Sequence, residues 1–274
     1  MSWGAGAGRR AGGREVLLAA KPPVRRAERE WIERSMAWLV AEFGPGPLLR
    51  DPVLPTAEFF PGPYDGSEQD IRRLVGRLCK FTGVHPEVVT VEIDPDDGEW
   101  AMAAGLGFTS RSHYAAGHYR RRQGLAVIGV DARLGTRPTA LVAVVAHELG
   151  HVRLLDEVRV SAERPDHEPL TDLLTVYFGL GVFSANAALS TEVAGGRRTT
   201  RRLGYLSERE YGYGLACYAW LRGESRAGPW ERHLTTNPRA YLKQGLRYLR
   251  RHAPGPELTA ARALVHGRPS DRGR

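Results

Sequence analysis

The chain has 274 residues, 42% hydrophobic and 26% charged, a balance that excludes wholesale disorder and fits one large domain with a substantial core. Its net charge of +8 raises nucleic acid as a partner, yet the basic residues are almost all Arg, with Lys only at Lys21, Lys80 and Lys243. Clusters such as Arg120-Arg121-Arg122, Arg197-Arg198 and Arg201-Arg202 have no interleaved aromatic residues to stack on bases, which argues against a nucleic-acid partner and for a solvated basic surface.

Residues 1–23 read as a flexible basic tail ending at Pro22-Pro23, and the apolar run Val16 to Ala20 is too short for a signal-peptide core. A single domain is expected over 24–252, followed by a loose tail over 253–274. From Ala27 to Phe43, apolar and charged residues alternate with helical periodicity, and Gly44-Pro45-Gly46-Pro47 stops the helix. Residues 48–66, rich in Pro and aromatic groups, predict an ordered wrapping loop. Ser67 and Asp70 have the spacing of a helix-start cap, so the next helix runs to about Phe81. Val88 to Ile93 is β-branched and short, a strand closed by the turn Asp94-Pro95-Asp96-Asp97-Gly98.

Leu125 to Val130 predicts a second strand. A long helix then starts at Gly135-Thr136-Arg137-Pro138, with Thr136 as its cap, and runs through Leu155. After a polar loop from Glu157 to Asp166, one further helix is expected from Asp166 towards Leu189. Leu173 to Leu189 has no charged residue, but Gly179, Gly181, Ser184 and Asn186 within it favour a buried core helix over a membrane span. Gly195-Gly196-Arg197-Arg198 reads as a mobile loop, and Ser207–Leu221 and Pro238–Arg251 as helices. Cys79 and Cys217 fall in apolar helical stretches, which suggests buried reduced thiols and a cytoplasmic protein. Strands and helices come first and a helix-rich half follows, so the fold class is α+β, a small twisted sheet packed on helices.

The chemistry concentrates in His147-Glu148-Leu149-Gly150-His151. Two histidines four apart on a helix project from one face and offer two neutral nitrogen ligands to one tetrahedral zinc ion. Glu148 is placed to take a proton from a zinc-activated water and return it to a leaving group. The flanking residues, Leu141, Val142, Val144, Val145, Ala146, Leu149 and Val152, make the helix apolar on nearly all sides. Polar groups in such a helix need partners, because each one left unpaired costs about 1–3 kcal/mol, and a metal satisfies them together.

These residues resemble the zincin metallopeptidases, whose hallmark is a His-Glu-x-x-His helix. The metzincin branch is excluded, because Val152-Arg153-Leu154-Leu155-Asp156-Glu157 lacks its downstream Gly and His. Gluzincins take a third ligand from a Glu on a following helix, usually with an acidic residue four positions later. Glu168-Pro169-Leu170-Thr171-Asp172 fits that pattern. The resemblance therefore implies Glu168 as third ligand and Asp172 as the partner that orients a ligand histidine. His167, next to Glu168, is a competing ligand, and so is Asp172 itself. The resemblance spans His147 to Asp172, and the layout is similar to the compact minimal gluzincins. It further implies a strand beside the cleft, on which an extended peptide can add, and Leu125 to Val130 occupies that place in the chain.

A second donor for the tetrahedral oxyanion is needed in peptide hydrolysis, and Tyr205, Tyr211, Tyr213 and His233 are downstream candidates, each also explicable as packing. His113-Tyr114 and His118-Tyr119 line the cleft or merely flank a strand. Asp131 meets a substrate amine or caps a turn, and Trp220 and Trp230 read as core. The leading expectation is a zinc-dependent peptidase that binds Zn2+, acts on a peptide or protein and has no membrane partner. A metal-stabilised regulatory or protein-binding module with little turnover is the alternative, and a hydrolase of non-peptide amides is a third reading. The intact Glu148 favours catalysis, since a structural site needs no base.

Overall fold

The computed structural model describes residues 20–94, 117–194, 197–201 and 203–267. The tail at 1–19, the turn residues 95–98, His113, Tyr114, Gly195-Gly196 and residues 268–274 lie outside the described residues.

Helix α1, Arg26–Phe43, buries Ile32, Met36, Leu39 and Val40 along one face and ends where Gly44 turns to φ 73°. A single turn, α2 (Gly46–Leu49), follows. In α3, Glu68–Thr82, Ser67 accepts the Asp70 N–H as expected, and the Asp70 carboxylate receives the Asp65 and Gly66 N–H groups. Three strands form the sheet: β1 (Val89–Asp94), β2 (Gly117–Arg122) and β3 (Leu125–Asp131). Their order is β1-β3-β2, with β1 parallel to β3 and β2 antiparallel to it. Gln123 and Gly124, both at positive φ, make the two-residue turn between β2 and β3.

Strand β3 is therefore central rather than the strand bordering the cleft. Both its edges are taken, so it has no free backbone to offer a peptide; among the described residues the edges are β1 and β2, and of these β2 contacts the histidine helix more closely. Nothing in the sequence announces β2, because Gly117-His-Tyr-Arg-Arg-Arg lacks the apolar alternation of a half-buried strand.

Helix α4, Pro138–His151, is buried along nearly its whole length and sits at the centre of the molecule. It touches α3, β2, β3 and the two helices that follow, α5 (His167–Tyr177) and α6 (Gly181–Ala187). Thr136 does not cap it: its hydroxyl donates to the Arg133 carbonyl, and Pro138 opens the helix instead. After His151 the helix widens into a π-type turn, Val152–Asp156, rather than running on regularly to Leu155. The single helix expected from Asp166 to Leu189 is broken in two at Gly179, whose φ of 85° no regular helix accommodates.

Of the loop expected at 195–198, Arg197 and Arg198 instead belong to β5 (Arg197–Arg201), which pairs antiparallel with β4 (Ser190–Ala194). Helix α7, Glu208–Leu221, starts with a reciprocal Ser207–Glu210 cap and packs against α8, Thr236–Arg251. The C-terminal part is not loose throughout, because Pro256–Val265 forms α9, which buries Leu258, Ala261 and Val265 and packs on α1. Glu33 of α1 anchors that region by accepting the Gly255 N–H at 2.8 Å and the Tyr213 hydroxyl at 2.5 Å.

One apolar core joins these elements and includes Trp230, with Trp220 packed at its margin. Cys79 and Cys217 are buried free thiols, as expected. Among the described residues, no helix is long and apolar enough to cross a membrane, and the uncharged stretch after Asp172 lies in the core. The class is α+β, a small mixed sheet against a largely helical body with the histidine helix in the middle.

Candidate metal centre

His147 and His151 leave α4 one turn apart, their ring centroids 4.7 Å from each other. Facing them is the first turn of α5, which carries Glu168. The two helices approach closely at Gly150, where an added Cβ would meet Thr171 Cγ2 at 2.7 Å. That clearance lets the short Glu168 side chain reach across. Its Oε2 stands 3.0 Å from His147 Nε2 and 3.4 Å from His151 Nε2. The three donor atoms all lie within 4.8 Å of one another, and all three residues are buried.

These spacings suit zinc. Ligands about 2.0–2.1 Å from a tetrahedral ion are about 3.3 Å apart, and the two measured separations bracket that value. Two imidazoles and one carboxylate are also a donor set that zinc favours. No fourth protein donor joins the group among the described residues, which is the pattern of an open, catalytic site rather than a closed structural one.

Asp172 lies one turn beyond Glu168, fully buried. Its Oδ1 accepts from His147 Nδ1 at 2.8 Å, and its Oδ2 accepts the backbone N–H groups of Tyr205 and Leu206 at 2.7 and 3.0 Å. The bond to Nδ1 leaves Nε2 with its lone pair facing the shared point. His167 does not join the triad. Its Nδ1 donates to the Arg164 carbonyl at 2.8 Å, and its Nε2 lies 3.4 Å from the outer oxygen of Glu168. His151 is held differently from His147: its Nδ1 is buried with no hydrogen-bond partner among the described residues, and the Tyr119 ring lies 5.7 Å away.

The electrostatics follow from crowding charges in a buried space. Burial favours a neutral His147, but hydrogen bonds to Asp172 and Glu168 outweigh it and lift its pKa to about 10. Burial opposes ionisation of Glu168, yet the two histidines hold it well below the usual carboxylate range. Glu148 is pushed up to about 7, chiefly by burial, with His147 pulling it back and Glu168 and Asp172 adding to the rise. It has no hydrogen bond or ion pair to any described residue, which leaves its carboxylate available as a base near neutral pH. Strand β2 runs beside it, so close that a Cβ on Gly117 would meet Val144 Cγ1 at 2.4 Å and Glu148 Oε1 at 3.4 Å.

Compared with family models, curated proteins and solved structures, the chain matches none. This is a zincin-like site. His147, His151 and Glu168 form its compact ligand triad, and the unengaged Glu148 gives it the catalytic form of that arrangement, a zinc hydrolase site of the metallopeptidase kind.

Of the other residues singled out in the sequence, Tyr205 stacks on His147 at 5.7 Å and 19° and is the oxyanion candidate brought to the zincin-like site. Tyr213 is engaged with Glu33, Tyr211 is buried in α7, and His233 Nε2 accepts from Arg232. On β2 the alternation splits His118 from Tyr119. Tyr119 turns to His151 and donates to Asp156, whereas the His118 ring covers Gly129 and lies 3.5 Å from Asp94. Asp131 caps its turn by accepting the Arg133 N–H at 2.8 Å. The contact between Gly150 and Thr171 escaped the sequence reading; Gly150 inside an otherwise ideal helix was its one visible sign.

Proposed function

We propose that the protein is a gluzincin-type peptidase in which His147, His151 and Glu168 hold zinc, Glu148 is the general base, and Asp172 orients His147. The observation that carries this reading is the convergence of both Nε2 atoms and Glu168 Oε2 on one point, with the Glu148 carboxylate beside them and unengaged. Zinc, when bound, would acidify a water and polarise the scissile carbonyl. Glu148 accepts a proton from the attacking water and passes it to the departing amine nitrogen, so the peptide bond is exchanged for a carboxylate and an amine. His147 stays in one tautomer because Asp172 takes its Nδ1–H. Peptide or protein is the substrate class in this reading, supported by the similarity of the site to peptidases. The two buried free thiols support a cytoplasmic setting.

The test is cleavage of an unstructured protein or a peptide library, followed by mass spectrometry. The proposal expects products that vanish with a zinc chelator and return with zinc. Glu148→Gln should keep the metal and lower turnover by a factor of about 100 to 10,000. A zinc-loaded wild-type protein that cleaves no peptide amide would remove the peptidase assignment, and undiminished turnover by Glu148→Gln would remove the base.

A further inference from the structure

Among the described residues, some arginines face carboxylates and others do not. Many around α1, β2 and the loop after the histidine helix face carboxylates: Arg26 meets Glu30 at 2.7 Å, Arg122 meets Glu92 at 3.0 Å and Arg153 meets Glu157 at 2.7 Å. On α8 and in the segment before it, Arg226, Arg239, Arg247 and Arg250 have no carboxylate within ion-pair distance among the described residues. Only Lys243 is matched there, by Glu231 at 2.9 Å. Four arginines without a carboxylate partner among the described residues thus lie close together in this part of the chain.

Its arrangement is linear. Arg239, Lys243, Arg247 and Arg250 follow one another at intervals of four, four and three residues, which places them in one stripe along α8 about 16 Å long. Lys243, Arg247 and Arg250 line a groove of about 300 Å³ together with Arg226, Glu231 and the buried Leu246. Arg226, Lys243, Arg247 and Arg250 are exposed.

We infer that this groove docks duplex nucleic acid by gripping the phosphate backbone without reading bases. A row of cations as long as several phosphates suits a linear polyanion better than a single anionic group. The groove has no aromatic residue on which unpaired bases could stack, which favours a duplex over a single strand. Protein partners are usually met by aromatic residues and few lysines, and membrane surfaces by an inserted apolar face. None of the exposed large hydrophobic side chains borders this groove. The arginine clusters singled out in the sequence are runs of consecutive residues. The stripe joins residues separated in sequence, brought into line by the helix α8. The inference departs from the expectation, drawn from composition, that nucleic acid is an unlikely partner.

The experiment is fluorescence anisotropy of the full-length protein with a labelled duplex about two helical turns long. With four phosphate contacts, the slope of log K against log salt should be about −3 to −4, a loss of about 100-fold between 50 and 200 mM salt. The double variant Arg247→Gln/Arg250→Gln should flatten that slope by about 2, while Arg34→Gln, an exposed change on α1, should leave it unaltered. All three positions are exposed, and unchanged thermal midpoints would verify folding. Absence of duplex binding at low salt, or an unchanged slope in the double variant, overturns the inference. So would stripe-dependent binding to phosphatidylserine vesicles or polyglutamate that exceeds binding to the duplex, and it would assign the groove to a membrane or an acidic protein.

Discussion

His147 Nδ1 and Asp172 Oδ1 meet at 2.8 Å, with both side chains almost wholly removed from solvent. The other oxygen of Asp172 holds the amides of Tyr205 and Leu206. One carboxylate thus fixes the tautomer of a metal-ligand candidate and anchors the chain segment whose Tyr205 ring stacks on it. An amide side chain can supply only one acceptor oxygen, so Asp172→Asn must abandon one of these two duties. It should weaken zinc binding about 10- to 100-fold, measured by competition with a chromogenic chelator. Wild-type affinity in that variant would show that Asp172 does not prepare His147 for the metal.

The spacing of the two ligand-bearing helices depends on Gly150. In Gly150→Ala the new methyl would press on Thr171 Cγ2 and push α5 away from α4. Overpacking of this kind costs about 1–3 kcal/mol, and here it should weaken zinc binding as well, by displacing Glu168. Thr171→Ser removes the offending methyl and keeps the hydroxyl that donates to the His167 carbonyl at 2.8 Å. Gly150→Ala/Thr171→Ser should therefore regain much of both losses in urea unfolding and zinc titration. If the single Gly150→Ala change is neutral in both assays, this contact does not set the reach of Glu168.

These two relationships show what could be read from the sequence. His147, Glu148 and His151 were legible because a four-residue spacing on an apolar helix fixes their geometry locally. Glu168 was reachable only through resemblance, since a long loop separates it from His151 and nothing local brings the two together. The strands β1 and β3 announced themselves by β-branched apolar runs. Edge strand β2 did not, because Arg120 to Arg122 lie exposed and show no alternation. The β4–β5 pair was passed over although two glycines between short Thr-containing runs are a hairpin signal. Leu258, Ala261 and Val265 of α9 are helically spaced, but the polar surroundings masked so narrow a buried face.

His118 gives a pH dependence outside the metal centre. Burial holds its pKa down at about 4, with Arg120 lowering it further and Glu92 opposing. The folded protein therefore resists a proton that the unfolded chain accepts below its ordinary value of about 6.5. The neutral ring's contribution is fully present above that value and is lost as pH falls from about 6.5 to 4. His118→Phe keeps a ring over Gly129 and removes the titration. Urea unfolding midpoints should fall less steeply in this variant than in wild type across that window. Parallel curves would show that His118 titrates alike in both states.

The central claim is that two imidazoles of α4 and one carboxylate of α5 hold a zinc ion, and metal analysis of purified variants tests it most directly. Wild-type protein should bind about one equivalent of zinc, His147→Ala and Glu168→Ala should each lose it, and His167→Ala should retain it. Full zinc retention by Glu168→Ala, or its loss in His167→Ala with Glu168 intact, would contradict the triad.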